Sequence, residues 1–291
     1  MAMRMGMKPC DKITGAGCID LPTGGRWCPK GGGGSTYTMA KALAGSVNSI
    51  AATLISRFGP EPVIAMMRRM GVKSFIPMQY SISLGACELS MYELVGAQAS
   101  LVNHGLFIEP TFIMRVEDKN GNLIYEADPV IDQALEPEIA YETVKLMKGV
   151  CDFGTAARIR SNPKFGKIPY PMAGKTGTTQ NNTDGWFIGM TPELVTGVWV
   201  GAQDPTVRFS STALGQGANT GLPIFGYYMN GIYKDANLSI SKGDFEAPLN
   251  YDPIRFQCNQ IGMGELFSDG EDATFEEFFN GELEFDGDVP E

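Results

Sequence analysis

Two short motifs contain the residue types in this chain that are best suited to chemistry. Ser46-Val47-Asn48 places a hydroxyl and an amide two residues apart between helical segments, where both can point into one cleft. Lys175-Thr176-Gly177-Thr178-Thr179 places a cation beside a glycine-interrupted strand that a ligand can approach closely. Each motif alone is weak evidence, because Ser and Asn often recap a helix and Lys-Thr-Gly often lies in an ordinary strand or turn. Their occurrence together, in this order, is what indicates a function.

The second motif predicts a site for an anionic ligand. The ammonium of Lys175 and the hydroxyls of Thr176 and Thr178 all donate hydrogen bonds, so they can hold one carboxylate together. Backbone N–H groups on an exposed edge of the same strand can stabilise an oxyanion. We therefore expect carboxylate binding beside an oxyanion-stabilising strand.

The elements that position these motifs are predicted from apolar periodicity and turn residues. A helical pattern over Thr38–Phe58 is interrupted at residues 45–48, so the first motif lies between two helices. Three strand patterns follow, at Met172–Thr179, Trp186–Met190 and Leu194–Ala202. The first of these strands carries the second motif, and Leu222–Tyr233 is predicted to be a closing helix. Helices, then an antiparallel run, then a helix predict an α+β arrangement.

Local capping and turn signals add three elements between the motifs. Ser90 and Glu93 have the spacing of a capping box, which predicts a helix from there to about Asn103. Asn120-Gly121 predicts a hairpin with a type I′ turn, because both residues tolerate positive φ. The amphipathic pattern of Glu136–Val150 predicts a helix.

The charge of the chain is concentrated at its end. The 291 residues hold 23 Lys and Arg against 33 Asp and Glu, a net charge of -10. Eleven of the acidic residues and no basic residue lie in 265–291, so residues 1–264 are nearly neutral. The body lacks the basic excess of a nucleic-acid-binding protein. The tail, in which phenylalanines alternate with acidic residues, is either a solvated disordered segment or a segment that docks to a partner.

The histidine and cysteine content excludes several kinds of site. His104 is the only histidine, so triad or multi-histidine zinc chemistry would have to use it, and we expect the base to be a lysine or a carboxylate. Six cysteines form no Cys-x-x-Cys pair, which excludes a zinc ribbon and a thioredoxin-like motif. Cys10, Cys18 and Cys28 lie in a loop rich in Gly and Pro, where one disulfide and three free thiols are both open possibilities. We expect neither a metal nor a cofactor.

Ser-x-Asn followed by Lys-Thr-Gly is similar to the second and third motifs of the serine penicillin-recognising enzymes. Longer stretches, over about residues 7–235, resemble the transpeptidase domain of class A penicillin-binding proteins. These are Gly174–Thr179, Asp184–Gly189, Thr191–Gly201, Trp27–Pro29, Ala42–Asn48, Leu84–Ser90, Asn103–Gly105 and Gly154-Thr155. The resemblance implies a penicillin-recognising α+β fold, an antiparallel sheet flanked by helices, here truncated at its N-terminus. It implies a loop-rich lead-in over 1–36, a partial transpeptidase domain over 37–240 and an extension over 241–291 with the acidic tail 265–291.

The resemblance also implies a serine-type peptidoglycan D,D-transpeptidase, which cross-links the cell wall and binds penicillin. Ser46 would relay a proton to the leaving group, Asn48 would bind the acyl-donor backbone, and Lys175 would support both the relay and the substrate carboxylate. Thr176 and Thr178 would hold that carboxylate, the N–H of Thr178 would form half of the oxyanion hole, and Gly177 would permit close approach.

The implied partners are peptidoglycan stem peptides and β-lactams, without nucleic acid, and cell-wall synthesis proteins at the acidic tail. The implied location of the parent protein is periplasmic, at the extracytoplasmic face of the cytoplasmic membrane, with any membrane anchor upstream of this sequence.

One family motif, the Ser-x-x-Lys that holds the nucleophile, has no counterpart before Ser46. The sequence contains this spacing only at Ser161–Lys164 and Ser239–Lys242, both in the wrong order relative to Ser-x-Asn. We therefore expect a C-terminal fragment that is inactive alone and exposes apolar surface. The alternative is a non-catalytic stem-peptide or β-lactam binding or sensor module of the same fold. A class A β-lactamase is disfavoured by the Trp-Phe strand and by the lead-in around Trp27.

Overall fold

The computed structural model describes residues 1–22, 24–31 and 33–258, so the acidic tail and its expected roles lie outside the described residues. The helices are α1 Met39–Ala44, α2 Asn48–Phe58, α3 Glu61–Arg69, α4 Met91–Val102, α5 Pro137–Asp152, α6 Arg158–Ser161, α7 Thr212–Gly215, α8 Gly221–Lys234 and α9 Pro253–Phe256. The strands are β1 Lys12–Thr14, β2 Ile19–Asp20, β3 Arg26–Trp27, β4 Thr36–Thr38, β5 Leu106–Ile108, β6 Arg115–Glu117, β7 Leu123–Glu126, β8 Ile131–Gln133, β9 Ala173–Thr178, β10 Asp184–Met190 and β11 Val195–Gly201.

The central sheet is antiparallel and has the order β11-β10-β9. Phe187 in the middle strand is fully buried and packs edge-on against Phe225 of α8. On β11, Gly197 lies so close to α4 that an added Cβ would sit 2.3 Å from the sulfur of Met91. Helices thus cover both faces of the sheet, because alternate residues of each strand point to opposite faces. The α+β prediction is confirmed.

Helix α5 connects the sheet to the N-terminal helices. It packs against both α1 and β9. Its buried residues include Ala140, Val144 and Met147, which recur at helical spacing. Because α1 ends just before Ser46 and β9 carries Lys175, α5 fixes the relative position of the two motifs.

Residues 1–36, which we expect to be rich in loop, also contain short strands. The segment contains β2 and β3, which pair with each other, and β1, which pairs with β4 through Ile13 opposite Tyr37. Ile13 is fully buried. Turn residues dominate the local sequence, but the buried Ile13 side chain and a partner strand more than twenty residues later order the backbone.

Two disulfides order the ends of the described chain. Cys18 pairs with Cys28, so the N-terminal cysteines form one disulfide among themselves. The third of them, Cys10, pairs with Cys258. The second bridge closes a separation of 248 residues, which no local pattern predicts. Cys87 and Cys151 are free.

The segment before Cys258 lies along α5. Asp244 accepts a hydrogen bond of 2.7 Å from Lys148, and Arg255 forms an ion pair of 2.7 Å with Glu138. The hydroxyl of Tyr251 donates to Glu142, whose side chain is almost fully buried. These contacts, spaced along α5, hold residues 244–258 on the helix that positions the motifs.

The hairpin of β6 and β7 forms as predicted, but its turn is not type I′. Gly121 has a φ of +82°, whereas Asn120 is absent from the residues with positive φ, and type I′ needs both. The carboxylate of Asp118 accepts hydrogen bonds from the backbone N–H groups of Asn120 and Asn122 instead. This side-chain turn competes with the backbone turn that the dipeptide favours.

Apolar side chains are exposed on the hairpin and on the segment before it, with Phe112, Met114 and Ile124 each more than half exposed. No helix within residues 1–22, 24–31 and 33–258 combines the length and apolar character needed to cross a membrane.

Candidate active site

The first motif forms a strained turn between α1 and α2. Ser46 has a φ of +54°, in the left-handed region that side-chain-bearing residues rarely adopt. Its N–H donates to the carbonyl of Leu43 at 3.1 Å, and the next N–H, of Val47, donates to Ala42 at 2.9 Å. Such a conformation costs of order 1–3 kcal/mol and persists where surrounding contacts impose it. The turn places the Ser46 side chain at the surface, beside β9.

The second motif meets this turn through its lysine. Lys175 Nζ donates a hydrogen bond of 2.7 Å to Ser46 Oγ and one of 2.8 Å to the carbonyl of Thr176. Burial lowers the pKa of Lys175 to about 8, because removal from water disfavours the charged amine. The structure therefore joins a hydroxyl and a lysine whose proton is exchangeable near physiological pH.

The strand β9 has a free edge in the described part of the sheet, since β10 is the strand paired with it. The N–H of Thr179 donates to the carbonyl of Asp184 at 3.1 Å, so the polar groups of residue 179 face the β10 side. Backbone polar groups of adjacent residues in a strand point to opposite edges. The N–H groups of Thr176 and Thr178 therefore point to the free edge, where Lys175 Nζ also lies.

The two threonine hydroxyls of the motif are engaged by neighbouring loops. Thr176 and Thr178 are two residues apart on β9 and share one face. The hydroxyl oxygen of Thr176 lies 2.7 Å from that of Thr155, and the hydroxyl of Thr178 accepts a hydrogen bond of 3.1 Å from the N–H of Gly217. The structure thus fixes both hydroxyls in position at the edge of the sheet.

Asn48 and Gly177 have surroundings that the sequence did not predict. Asn48 is the first residue of α2, and its amide donates to the carbonyl of Lys30 at 3.5 Å, so it contacts the lead-in loop. An added Cβ on Gly177 would lie 3.0 Å from the Cβ of Trp186, so packing against β10 also favours glycine there. Among the predicted residues, direct side-chain contact joins Ser46 to Lys175.

With this geometry established, the penicillin-binding protein transpeptidase domain family matches residues 22–213, which include both motifs. The chain belongs to this family. Penicillin-binding protein 1A of Rickettsia prowazekii is 31% identical over 263 residues, covering 80% of this chain and 32% of the relative. Penicillin-binding protein 1A of Aquifex aeolicus is 32% identical over 232 residues, covering 79% and 30%. The resemblance to class A transpeptidase domains is confirmed.

Solved structures of similar proteins agree on the fold. Penicillin-binding protein 1A of Haemophilus influenzae superimposes with a TM-score of 0.70 at 22% identity, covering 82% of this chain and 41% of that chain. The PonA1 protein of Mycobacterium tuberculosis, in complex with penicillin V, gives 0.66 at 22% identity, covering 85% and 71%. The prediction of a penicillin-recognising fold is confirmed. The chain spans about a third of the length of the curated relatives that it matches, and the division at residues 36 and 240 stays a prediction.

Among the described residues, neither of the two Ser-x-x-Lys pairs forms a hydrogen bond with the Ser-x-Asn or Lys-Thr-Gly motif. Ser161 is exposed at the end of α6, and Ser239 is exposed in the segment after α8. Lys242, the partner of Ser239 in the sequence, lies over the ring of Tyr170 at 5.2 Å. The partners of Lys175 in the described residues are Ser46 and the carbonyl of Thr176, and that neither serine is the nucleophile stays a prediction.

Asp184, which lies in the Asp184–Gly189 stretch of the family resemblance, orders the backbone directly after the Lys-Thr-Gly motif. Its carboxylate accepts hydrogen bonds from Thr179 at 2.9 Å, Thr183 at 2.8 Å and Trp199 at 2.8 Å. Partial burial works to raise the pKa of Asp184, but these hydrogen bonds outweigh it and hold the pKa below its usual range. The charged carboxylate fixes the turn that follows Thr178.

Two further residues, Thr155 and Gly217, touch the motif threonines from other parts of the chain. Gly217 is in a loop near α8, and its backbone runs against β9 and β10. In the sequence, Gly154-Thr155 stands out only through the family resemblance. No local pattern identifies either contact, because each depends on which loop packs against the sheet edge.

Proposed function

We propose that this chain supplies the carboxylate-binding and proton-relay side of a serine-type D,D-transpeptidase site that acts on peptidoglycan stem peptides ending in D-Ala-D-Ala. The observation that carries the proposal is the 2.7 Å hydrogen bond between Lys175 Nζ and Ser46 Oγ at the free edge of β9. Family membership supports the same reaction, and the penicillin V complex of PonA1 supports β-lactams as ligands. Such a reaction places the site at the extracytoplasmic face of the cytoplasmic membrane.

The site geometry suggests how each group acts. The ammonium of Lys175 and the hydroxyls of Thr176 and Thr178 hold the terminal carboxylate of the substrate by charge-assisted hydrogen bonds. The N–H of Thr178, at the free edge of β9, stabilises the oxyanion that forms on the attacked D-Ala carbonyl. Asn48, at the start of α2, binds the backbone of the acyl donor.

The direction of the Ser46–Lys175 hydrogen bond favours a relay. Lys175 donates to Ser46 Oγ, so the Ser46 proton is free to pass to the leaving amine as Lys175 returns a proton to Ser46. With a pKa of about 8, Lys175 is mostly protonated at neutral pH, which favours donation of a proton to Ser46 over removal of the Ser46 proton. We therefore assign Ser46 to proton transfer and not to acylation.

Binding of a D-Ala-D-Ala peptide tests the proposal. Titration of the isotopically labelled chain with diacetyl-L-Lys-D-Ala-D-Ala should shift the amide resonances of Ser46, Lys175 and Thr178, while the L-Ala-L-Ala peptide should not. A fluorescent penicillin should leave no covalent label on the denatured 31.5 kDa band. A peptide that binds elsewhere, or a label mapped to Ser46, contradicts the proposal.

A non-catalytic stem-peptide or β-lactam binding module is the second candidate, because neither Ser-x-x-Lys pair is bonded to the described site. Both candidate functions predict that this chain binds the D-Ala-D-Ala peptide reversibly and is not labelled covalently by penicillin. Transfer of the peptide's acyl group to an added amine, with release of D-Ala, separates them. Such turnover by this chain, or by any product of its gene that extends upstream of Met1, establishes the transpeptidase, whereas binding without turnover in all of them establishes the binding module.

The affinity for the carboxylate peptide is expected to fall as the pH rises through 8. Lys175 is charged below its pKa, and burial lowers that pKa to about 8, so the attraction is complete at pH 6–7 and is lost above 8. One linked proton gives a decrease of about tenfold in affinity per pH unit above the pKa. Isothermal titration calorimetry with diacetyl-L-Lys-D-Ala-D-Ala, repeated from pH 6 to pH 10, measures this change in affinity.

The variant Lys175→Arg is the control for this pH dependence. A guanidinium stays protonated throughout this range, so its remaining affinity should be independent of pH up to 10. If the affinity of Lys175→Arg fell with pH as much as that of wild type, a group other than Lys175 would be responsible for the pH dependence.

A further inference from the structure

We propose that Thr155 is a positioning residue that couples the two motifs and directs the Thr176 hydroxyl toward the ligand carboxylate. The proposal deepens the proposed function and rests on it for the identity of the ligand.

Thr155 contacts both motif-bearing elements at once. Its backbone N–H donates a hydrogen bond of 3.1 Å to the carbonyl of Ala44, the last residue of α1, two residues before Ser46. Its hydroxyl oxygen lies 2.7 Å from the hydroxyl oxygen of Thr176 on β9. A single residue therefore bridges the end of α1 and the Lys-Thr-Gly strand.

The loop that carries Thr155 is held firmly at the end of α5. The N–H of Gly154 donates to Gly149 at 2.9 Å, and that of Ala156 donates to Val150 at 2.9 Å. A Cβ on Gly154 would lie 2.2 Å from the carbonyl oxygen of Ala44 and 2.9 Å from the Cα of Val150. These are backbone atoms that cannot turn aside, so only glycine at 154 lets the loop reach α1 this closely.

The hydroxyl pair gives Thr155 its directing effect. A threonine hydroxyl donates one hydrogen bond and accepts two. When Thr176 donates its proton to a bound carboxylate, the 2.7 Å contact is favourable only if Thr155 donates to Thr176. That donation polarises the Thr176 hydroxyl and strengthens its bond to the anion. Thr155 thus acts on the ligand without touching it.

The test compares Thr155→Val, Thr155→Ser and the matched control Thr14→Val. Thr14 and Thr36 form a hydroxyl pair of the same 2.7 Å length between β1 and β4. Loss of one such hydrogen bond corresponds to about a three- to tenfold rise in Kd for diacetyl-L-Lys-D-Ala-D-Ala. We expect that rise for Thr155→Val, recovery to within twofold of wild type for Thr155→Ser, and no change for Thr14→Val.

If the valine variant unfolds, Thr155→Ala removes the hydroxyl without adding a methyl group and keeps the N–H to Ala44. An unchanged Kd in a folded hydroxyl-lacking variant, or a serine variant as weak as the valine variant, overturns the proposal while the proposed function stands.

A ligand-free measurement separates this proposal from the proposed function. Amide resonances of both Ser46 and Thr176 should shift in Thr155→Val, since the residue contacts both elements. If wild type does not bind the peptide, the proposed function fails, and this measurement alone decides the coupling. Shifts confined to one motif, or shifts at both motifs in Thr14→Val as well, overturn the coupling.

Discussion

Replacing Lys175 with methionine is expected to weaken binding of a D-Ala-D-Ala peptide by at least about 30-fold. The ammonium is the one group with a full positive charge in the proposed carboxylate site, and its Nζ also holds Ser46 at 2.7 Å. Removing one member of a partly buried, hydrogen-bonded charge pair costs about 2–5 kcal/mol, which spans 30-fold to several thousand-fold in affinity. Peptide titration followed by NMR or calorimetry measures the loss.

The same variant should keep the fold. Methionine has nearly the same length and is apolar, so it removes a desolvated amine without opening a cavity. The thermal midpoint of Lys175→Met should therefore equal or exceed that of wild type. Lys242→Met, which removes the lysine over the Tyr170 ring, serves as the matched control and should bind the peptide normally. Retained affinity in a folded Lys175→Met protein would show that the carboxylate binds elsewhere.

Replacing Gly217 with alanine is expected to destabilise the protein by about 3 kcal/mol or more. An added Cβ would lie 2.2 Å from the carbonyl oxygen of Trp186 and 2.5 Å from that of Gly177. Both atoms belong to the backbone of paired strands, so relief requires moving β9 or β10 as a whole, and overpacking of this kind costs about 1–3 kcal/mol or more. The expected decrease in thermal midpoint is about 6–12 °C for a domain of this size.

Gly231→Ala is the matched control for Gly217→Ala. Gly231 lies within α8, and no atom is within 4 Å of an added Cβ. Alanine is a better helix former than glycine, so this variant should be about 0.5–1 kcal/mol more stable than wild type. Denaturant unfolding of the two variants should thus give changes of opposite sign. If Gly217→Ala has the same thermal midpoint as wild type, the loop that carries Gly217 can shift to accommodate the methyl group and does not pack tightly against the Lys-Thr-Gly strand.

The capping box at Ser90 and Glu93 shows why some elements are predictable from a few residues. Ser90 accepts from the Glu93 N–H and Glu93 accepts from the Ser90 N–H, within one helical turn. The strands β9, β10 and β11 and the helices α5 and α8 are likewise specified by short apolar patterns. At Asn120, by contrast, the dipeptide preference was overridden by the Asp118 side chain, which lies just outside the window that predicts the turn.

By itself the sequence determined the residue types of both motifs, the α+β order of elements and the resemblance to class A transpeptidase domains. Only the tertiary structure decided that Lys175 reaches Ser46, that Thr155 and Gly217 hold the motif threonines, and that Cys10 pairs with Cys258. Helix and strand preferences arise from backbone and side-chain sterics within a few residues. Contacts between residues far apart in the chain depend on how α5 packs against α1 and β9, and no local window contains that packing.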